Sequence, residues 1–195
     1  MICGIVLAAG MGRRIGISKA LLSLDGQTFL ERSVAALTGA GLEVVVVMNP
    51  GVNQAAPMGV FRGLRLVNHD PDGENGMFGS VRLGVLEALA KGAAGALLLP
   101  VDLPLVSSED VRGVMTCLSG GALVAVATHG GRWGHPIGVG RAVMLEIVTG
   151  PPTTTLRDIV RRDRGRVVEV PASVGAIMGV NTKEDLERVS NRTFR

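Results

Sequence analysis

The 195-residue chain is 47% apolar and 19% charged, which suits a folded core and excludes a disordered, highly charged segment. Its formal charge of +3 suits an anionic small molecule. Only 3% of the residues are aromatic and none is Tyr, so a base-stacking surface is hard to build and nucleic acid is not expected as a partner. The length predicts a single domain over 1–195. Cys3 and Cys117 belong to no paired framework or zinc spacing and read as small hydrophobes in a reducing compartment. No basic leader precedes the first apolar run, and no run of about 18 uncharged apolar residues occurs. The expected location is therefore the cytoplasm.

Residues 2–7 are continuously apolar, the pattern of a strand covered on both faces. Glycines follow at 10, 12 and 16. Residues 27–37 read as a helix with Phe29, Leu30, Val34 and Leu37 on one stripe, preceded by an Asp25-Gly26 turn. A second strand is expected at 42–48, stopped by Asn49-Pro50-Gly51, and a third at 64–68 before the turn cluster 70–73. Helix 81–90 and strand 96–99 follow. Ser107 and Ser108 open a helix reaching about Leu118. A fifth strand is expected at 122–128, and 130–140 reads as a glycine-rich loop. Helices at 141–148 and 155–163, strands at 167–170 and 174–180, and a helix at 183–189 complete the chain.

Apolar strands alternating with helices predict a three-layer α/β/α, Rossmann-like domain with a mostly parallel sheet. Such sheets bind ligands beyond the carboxyl ends of their strands. The loop after the first strand is therefore the place to look, and it reads Leu7-Ala8-Ala9-Gly10-Met11-Gly12-Arg13, continuing to Lys19. Small residues and glycine let backbone N–H groups face an anion. Arg13 adds a permanently charged planar fork and Lys19 a compact charge, a combination suited to a triphosphate. The third glycine falls one position late for a dinucleotide-binding fingerprint, and no acidic residue ends the second strand to hold a ribose. No Gly-Lys-Ser/Thr is present, which excludes a Walker A loop. A tight turn with solvated charges is the remaining reading.

Asp102 stands at the exit of the strand 96–99, within Pro100-Val101-Asp102-Leu103-Pro104. A carboxylate there is costly unless paired or metal-bound, and Mg²⁺ is commonly held by one or two carboxylates plus substrate phosphates. The competing role is a cap for the next helix, for which Ser107 and Ser108 are better placed. Asn49 and Asp70 end the second and third strands and are candidates for base or ribose contacts. Ser80, after a glycine-led helix start, is placed to donate to an anion or to cap that helix.

The segment from Leu7 to Leu22 resembles the signature of the nucleotidyltransferases related to molybdenum cofactor cytidylyltransferase and guanylyltransferase. The resemblance runs in order from residue 5 to 188. It implies that Leu7, Ala8, Ala9, Gly10, Met11 and Gly12 wrap the nucleotide, that Arg13 and Lys19 hold its phosphates, and that Asp102 is a magnesium ligand. Gly179-Val180-Asn181-Thr182-Lys183-Glu184-Asp185-Leu186 is similar to another family segment. Asn181 there resembles a second metal or phosphate contact, although a helix cap at Asn181 or Thr182 explains the same residues. Gly76 to Gly84 looks like a stretch of the cytidylyltransferase branch that includes Ser80, and Gly134-His135-Pro136-Ile137 resembles the same branch, with His135 facing the acceptor. His69 and His129 are given no role. Between 150 and 166 the branch carries a Gly-Ala-Arg segment where this chain has Pro151-Pro152-Thr153-Thr154-Thr155.

The resemblance thus implies a Mg²⁺-dependent transfer of a nucleoside monophosphate to a molybdopterin-type phosphate, with release of pyrophosphate. Ala9 stands where the guanylyl branch has Gly, pointing to CTP. Alternatives are guanylyl transfer, transfer to a sugar or alcohol phosphate, a nicotinamide dehydrogenase, or a catalytically silent chaperone that delivers cofactor to a molybdoenzyme partner.

Overall fold

The computed structural model describes residues 1–10, 17–55, 64–69, 76–151 and 153–191. Seven strands form one sheet in the order β5-β4-β1-β6-β8-β7-β9. Their ranges are β1 Ile2–Ala8, β4 Glu43–Met48, β5 Arg65–Asn68, β6 Gly95–Pro100, β7 Val124–His129, β8 Arg132–Gly140 and β9 Val167–Pro171. A two-stranded hairpin, β2 Ser23–Leu24 and β3 Gln27–Thr28, stands apart. Within the seven-stranded sheet, among the described residues, only β8 runs antiparallel to its neighbours, so the expectation of a mostly parallel α/β sheet holds.

Successive side chains of a strand point to opposite faces, and the two cores follow that alternation. Val6 and Ala8 of β1 join Val46, Leu97 and Leu99 beneath α1 (Phe29–Thr38) and α4 (Ser108–Ser119). Cys3 and Ile5 join Val45, Val47, Ala96 and Leu98 beneath α3 (Gly76–Ala90) and α5 (Arg141–Thr149). Burial pushes the Cys3 thiol up to about 11, which fits a packing residue.

Five sequence expectations give way. Residues 130–140 are not a loop: Gly130 and Gly131, both at positive φ, make a two-residue turn from β7 into β8. Gly134 lies inside β8 because a Cβ there would collide with the Ala176 carbonyl, so this glycine marks close packing, not a bend. Residues 174–180 are not a strand. Val174–Ile177 is a 3₁₀ turn laid across that spot, and its apolar residues are covered without joining the ladder. Asn49-Pro50-Gly51 does more than stop β4: Pro50–Ala55 forms α2, with Val52 N–H donating to Asn49 Oδ1 at 3.0 Å. Helix α3 also starts at Gly76, ahead of the predicted 81, and the predicted start of α1 at 27 yields to Thr28, whose side chain and Glu31 form a capping box.

Candidate functional site

Parallel register brings three strand exits to one level. Leu7 lies opposite Pro100 and Ala8 opposite Met48, so the residues that follow β1, β4 and β6 cluster at the sheet's carboxyl edge. Asn49 secures the first exit, its Nδ2 donating to the Ala9 carbonyl at 3.0 Å while its Oδ1 caps α2. Both ends of this buried amide are therefore engaged by the protein, which makes Asn49 a residue that positions the Ala9-Gly10 backbone. Ser18 Oγ donates to the Gly10 carbonyl at 3.2 Å, drawing together the two ends of the glycine loop. Met11, Gly12, Arg13 and Asp70 lie outside the described residues.

The chain re-emerges as a 3₁₀ turn, Lys19–Leu21, that presents Lys19. Its Nζ donates to Asp102 Oδ2 at 3.0 Å and to Asn181 Oδ1 at 2.7 Å. Asp102 follows β6, and its own carbonyl accepts from Val180 N–H at 2.8 Å, which brings Asn181 alongside. Thr182, and not Asn181, is the N-cap of α7 (Lys183–Ser190). The Asn181 backbone N–H is taken by Asp185 Oδ2 at 3.0 Å, leaving its side chain aimed at Lys19. The side-chain oxygens of Asp102 and Asn181 thus converge on one cation.

Asp110 anchors the segment that carries Asn181. Ser107 and Asp110 form a capping box on α4, while Asp110 also accepts from Ser173 N–H at 2.7 Å and Ser173 Oγ at 2.8 Å. Burial opposes the Asp110 charge, but hydrogen bonds from Ser173 and Ser107 overcome it and hold the carboxyl below its ordinary value. The Ser-x-x-Asp spacing of this box is legible in sequence, whereas its grip on Ser173 spans 63 residues and is not.

Ser80 is buried within α3, with Oγ 2.8 Å from His69 Nδ1. It neither starts nor caps the helix. His69 was given no role from sequence and proves to be the group that fixes Ser80; only the fold reveals the pairing. His135 sits in β8, partly buried, and burial pushes its imidazole down to about 4 against the opposing pull of Asp102. It is neutral at pH 7.

These residues border neighbouring cavities. A cavity of about 270 Å³ is lined by Leu7, Ala9, Gly10, Lys19, Ser80 and Asp102, among others. It shares Leu7, Met77 and Pro100 with a second cavity of about 480 Å³ that includes His135. A third, of about 390 Å³, lies against Asp102, His135 and Asn181. Among the described residues no three His, Cys, Asp or Glu side chains converge, and no helix is long and apolar enough to cross a membrane.

Comparison with known proteins shows the family and the fold. A molybdenum cofactor guanylyltransferase of Acidiphilium cryptum (strain JF-5) is 29% identical over 94% of this chain and 91% of its own length. The molybdenum cofactor cytidylyltransferase of Escherichia coli (strain K12) is 23% identical over 96% and 95%. The crystal structure of a Mycobacterium sp. strain JC1 homologue of a Mycobacterium tuberculosis protein superimposes with a TM-score of 0.82 at 24% identity, covering 98% of this chain and 96% of that one, which shows a common fold. Residues 4–167 match the model of the MobA-like NTP transferase domain, and the chain belongs to that family of nucleotidyltransferases.

Proposed function

We propose that the protein transfers a nucleoside monophosphate, CMP from CTP, to the phosphate of a molybdopterin-type acceptor and releases pyrophosphate. The carrying observation is the meeting of Lys19 with Asp102 and Asn181 beside the Leu7–Gly10 backbone, at the end of the sheet where ligands gather. The triphosphate would lie along Leu7, Ala8, Ala9 and Gly10, with Ser80 lining the same cavity and Met11, Gly12 and Arg13 assigned to the nucleotide by the sequence.

The acceptor phosphate oxygen attacks the α-phosphorus in line. A new P–O bond forms as the bond to the β-phosphate oxygen breaks, and pyrophosphate carries away the electron pair. The attacking oxygen is already ionised at neutral pH, so no general base is needed, and catalysis reduces to positioning and charge stabilisation. Lys19, with Arg13, would stabilise the charge that builds on the leaving pyrophosphate.

The Asp102 and Asn181 oxygens fit a hard cation, since they already flank an ammonium at 3.0 and 2.7 Å and are one carboxylate and one amide carbonyl. They would hold Mg²⁺, whose chemistry when bound is to neutralise phosphate charge. Lys19, now tied to the same oxygens, would turn to the phosphates. Neutral His135, at the junction of the two larger cavities, would donate to or accept from the acceptor without adding charge.

The base preference rests on Ala9, one of the residues lining the nucleotide cavity, whose methyl group would crowd a purine. GTP is the second reading, favoured by the 29% identity to a guanylyltransferase. Pyrophosphate release from CTP, GTP, ATP and UTP with molybdopterin separates the two. Faster turnover with GTP overturns the CTP assignment.

A further inference from the structure

The cavity of about 480 Å³ differs in chemistry from the one that holds Lys19. Phe78, Val81, Val126, Ile137 and Val160 make much of its wall hydrocarbon. Two charged side chains line it as well, Arg157 and Arg161, exposed on α6 (Leu156–Arg161). Their i, i+4 spacing places both on one face of the helix. Nearby arginines are spent internally, since Arg162 and Arg166 both reach Glu146, at 3.7 and 2.7 Å. Among the described residues, Arg157 and Arg161 have no carboxylate within ion-pair distance. Trp133 also lines the cavity. Its Nε1 donates to Glu169 at 2.7 Å, and the Arg161 and Arg164 guanidiniums sit 5.9 and 5.2 Å from its ring centroid.

We propose that this cavity is the acceptor subsite and that Arg157 and Arg161 select the acceptor. They recognise a flat ring system with an anionic or electron-rich edge, in addition to the phosphate that reacts. The inference rests on the nucleotidyl-transfer reading for the direction in which the acceptor lies. Leu7, Met77 and Pro100 border both cavities, so an occupant here extends its phosphate toward Lys19 and Asp102. A polyol phosphate is disfavoured, because hydroxyl groups on all its faces would lose water against hydrocarbon walls, with polar partners only where Arg157, Arg161, His135 and Thr155 line the cavity. A ring buries its faces there at no such cost, and a planar guanidinium pairs two N–H groups with an oxygen-bearing edge.

The test uses the fact that Trp133 is the chain's one tryptophan and that tyrosine is absent, so intrinsic emission reports on this cavity. Molybdopterin is titrated into the wild type and into the Arg157→Gln/Arg161→Gln variant, with glycerol 3-phosphate as the polyol control. The expected result is a saturable emission change with molybdopterin, absent with glycerol 3-phosphate, whose midpoint rises about tenfold or more in the variant. In turnover the acceptor KM rises by the same factor while the KM for the triphosphate stays put. No emission change, or an unaltered acceptor KM in an active variant, overturns the subsite. If no triphosphate yields pyrophosphate with molybdopterin, the transfer reading fails on its own, and the emission titration still decides the cavity's ligand.

Discussion

Lys19 Nζ lies 3.0 Å from Asp102 Oδ2, a contact that joins residues 83 positions apart at the mouth of the sheet. With about a quarter of each side chain accessible, the pair is partly solvated. Its contribution to folding should therefore be about 1 kcal/mol or less. Its contribution to phosphate chemistry should be larger, because an ammonium held in place is worth most where negative charge develops. Lys19→Met is expected to leave the urea midpoint nearly unchanged and to lower the rate of pyrophosphate release on the order of a hundredfold or more.

Asn181 tests the second oxygen donor. Asn181→Asp places another carboxylate 2.7 Å from the cation position, with little change in shape. A hard cation prefers that donor set, so the Mg²⁺ concentration giving half-maximal activity should fall by about tenfold. Magnesium titration of pyrophosphate release measures it. An unchanged requirement would mean that Asn181 does not face the metal.

Much of this site is legible in the sequence. Strand β1 and its glycine exit follow from Ile2 to Gly10, and Asp102 follows from a carboxylate placed just after an apolar strand. Period-two apolar runs and glycine turns act over a few residues, so sequence shows them directly. What failed depended on contacts far along the chain. The glycines of 130–140 read as a loop because glycine punctuates turns, yet Gly134 is there to admit the Ala176 carbonyl from another segment. Apolar 174–180 read as a strand because no local signal says that these side chains pack across the end of β8. The His69–Ser80 and Asp110–Ser173 pairs likewise join elements that only the sheet order brings together.

His135 makes stability depend on pH. Unfolded, its imidazole takes a proton near 6.5, whereas folded it stays neutral down to about 4. Below 6.5 the unfolded chain binds a proton that the folded one refuses, so stability present above 6.5 is lost as the pH falls toward 4. Urea denaturation at pH 7 and pH 4.5 should show wild type losing on the order of 1–3 kcal/mol more than His135→Gln over that interval. Equal losses would contradict the neutral, partly buried imidazole.

Asp110 is expected to matter to both folding and turnover. Asp110→Ala removes the carboxylate half of the α4 capping box and both bonds to Ser173, so the Ser107 and Ser173 N–H groups lose their acceptor, a loss of about 1–3 kcal/mol. The released segment carries Asn181, so the magnesium requirement should rise as well. Thermal melts and magnesium titrations of the same preparation separate the two effects.

The central claim is that Asp102 gathers the cations that neutralise a bound triphosphate. Pyrophosphate release from Mg²⁺ with CTP or GTP and molybdopterin, compared between wild type and Asp102→Ala at saturating substrate, tests it most directly. The account predicts turnover by the wild type and a loss on the order of a hundredfold or more in the variant. Undiminished turnover by folded Asp102→Ala would contradict it.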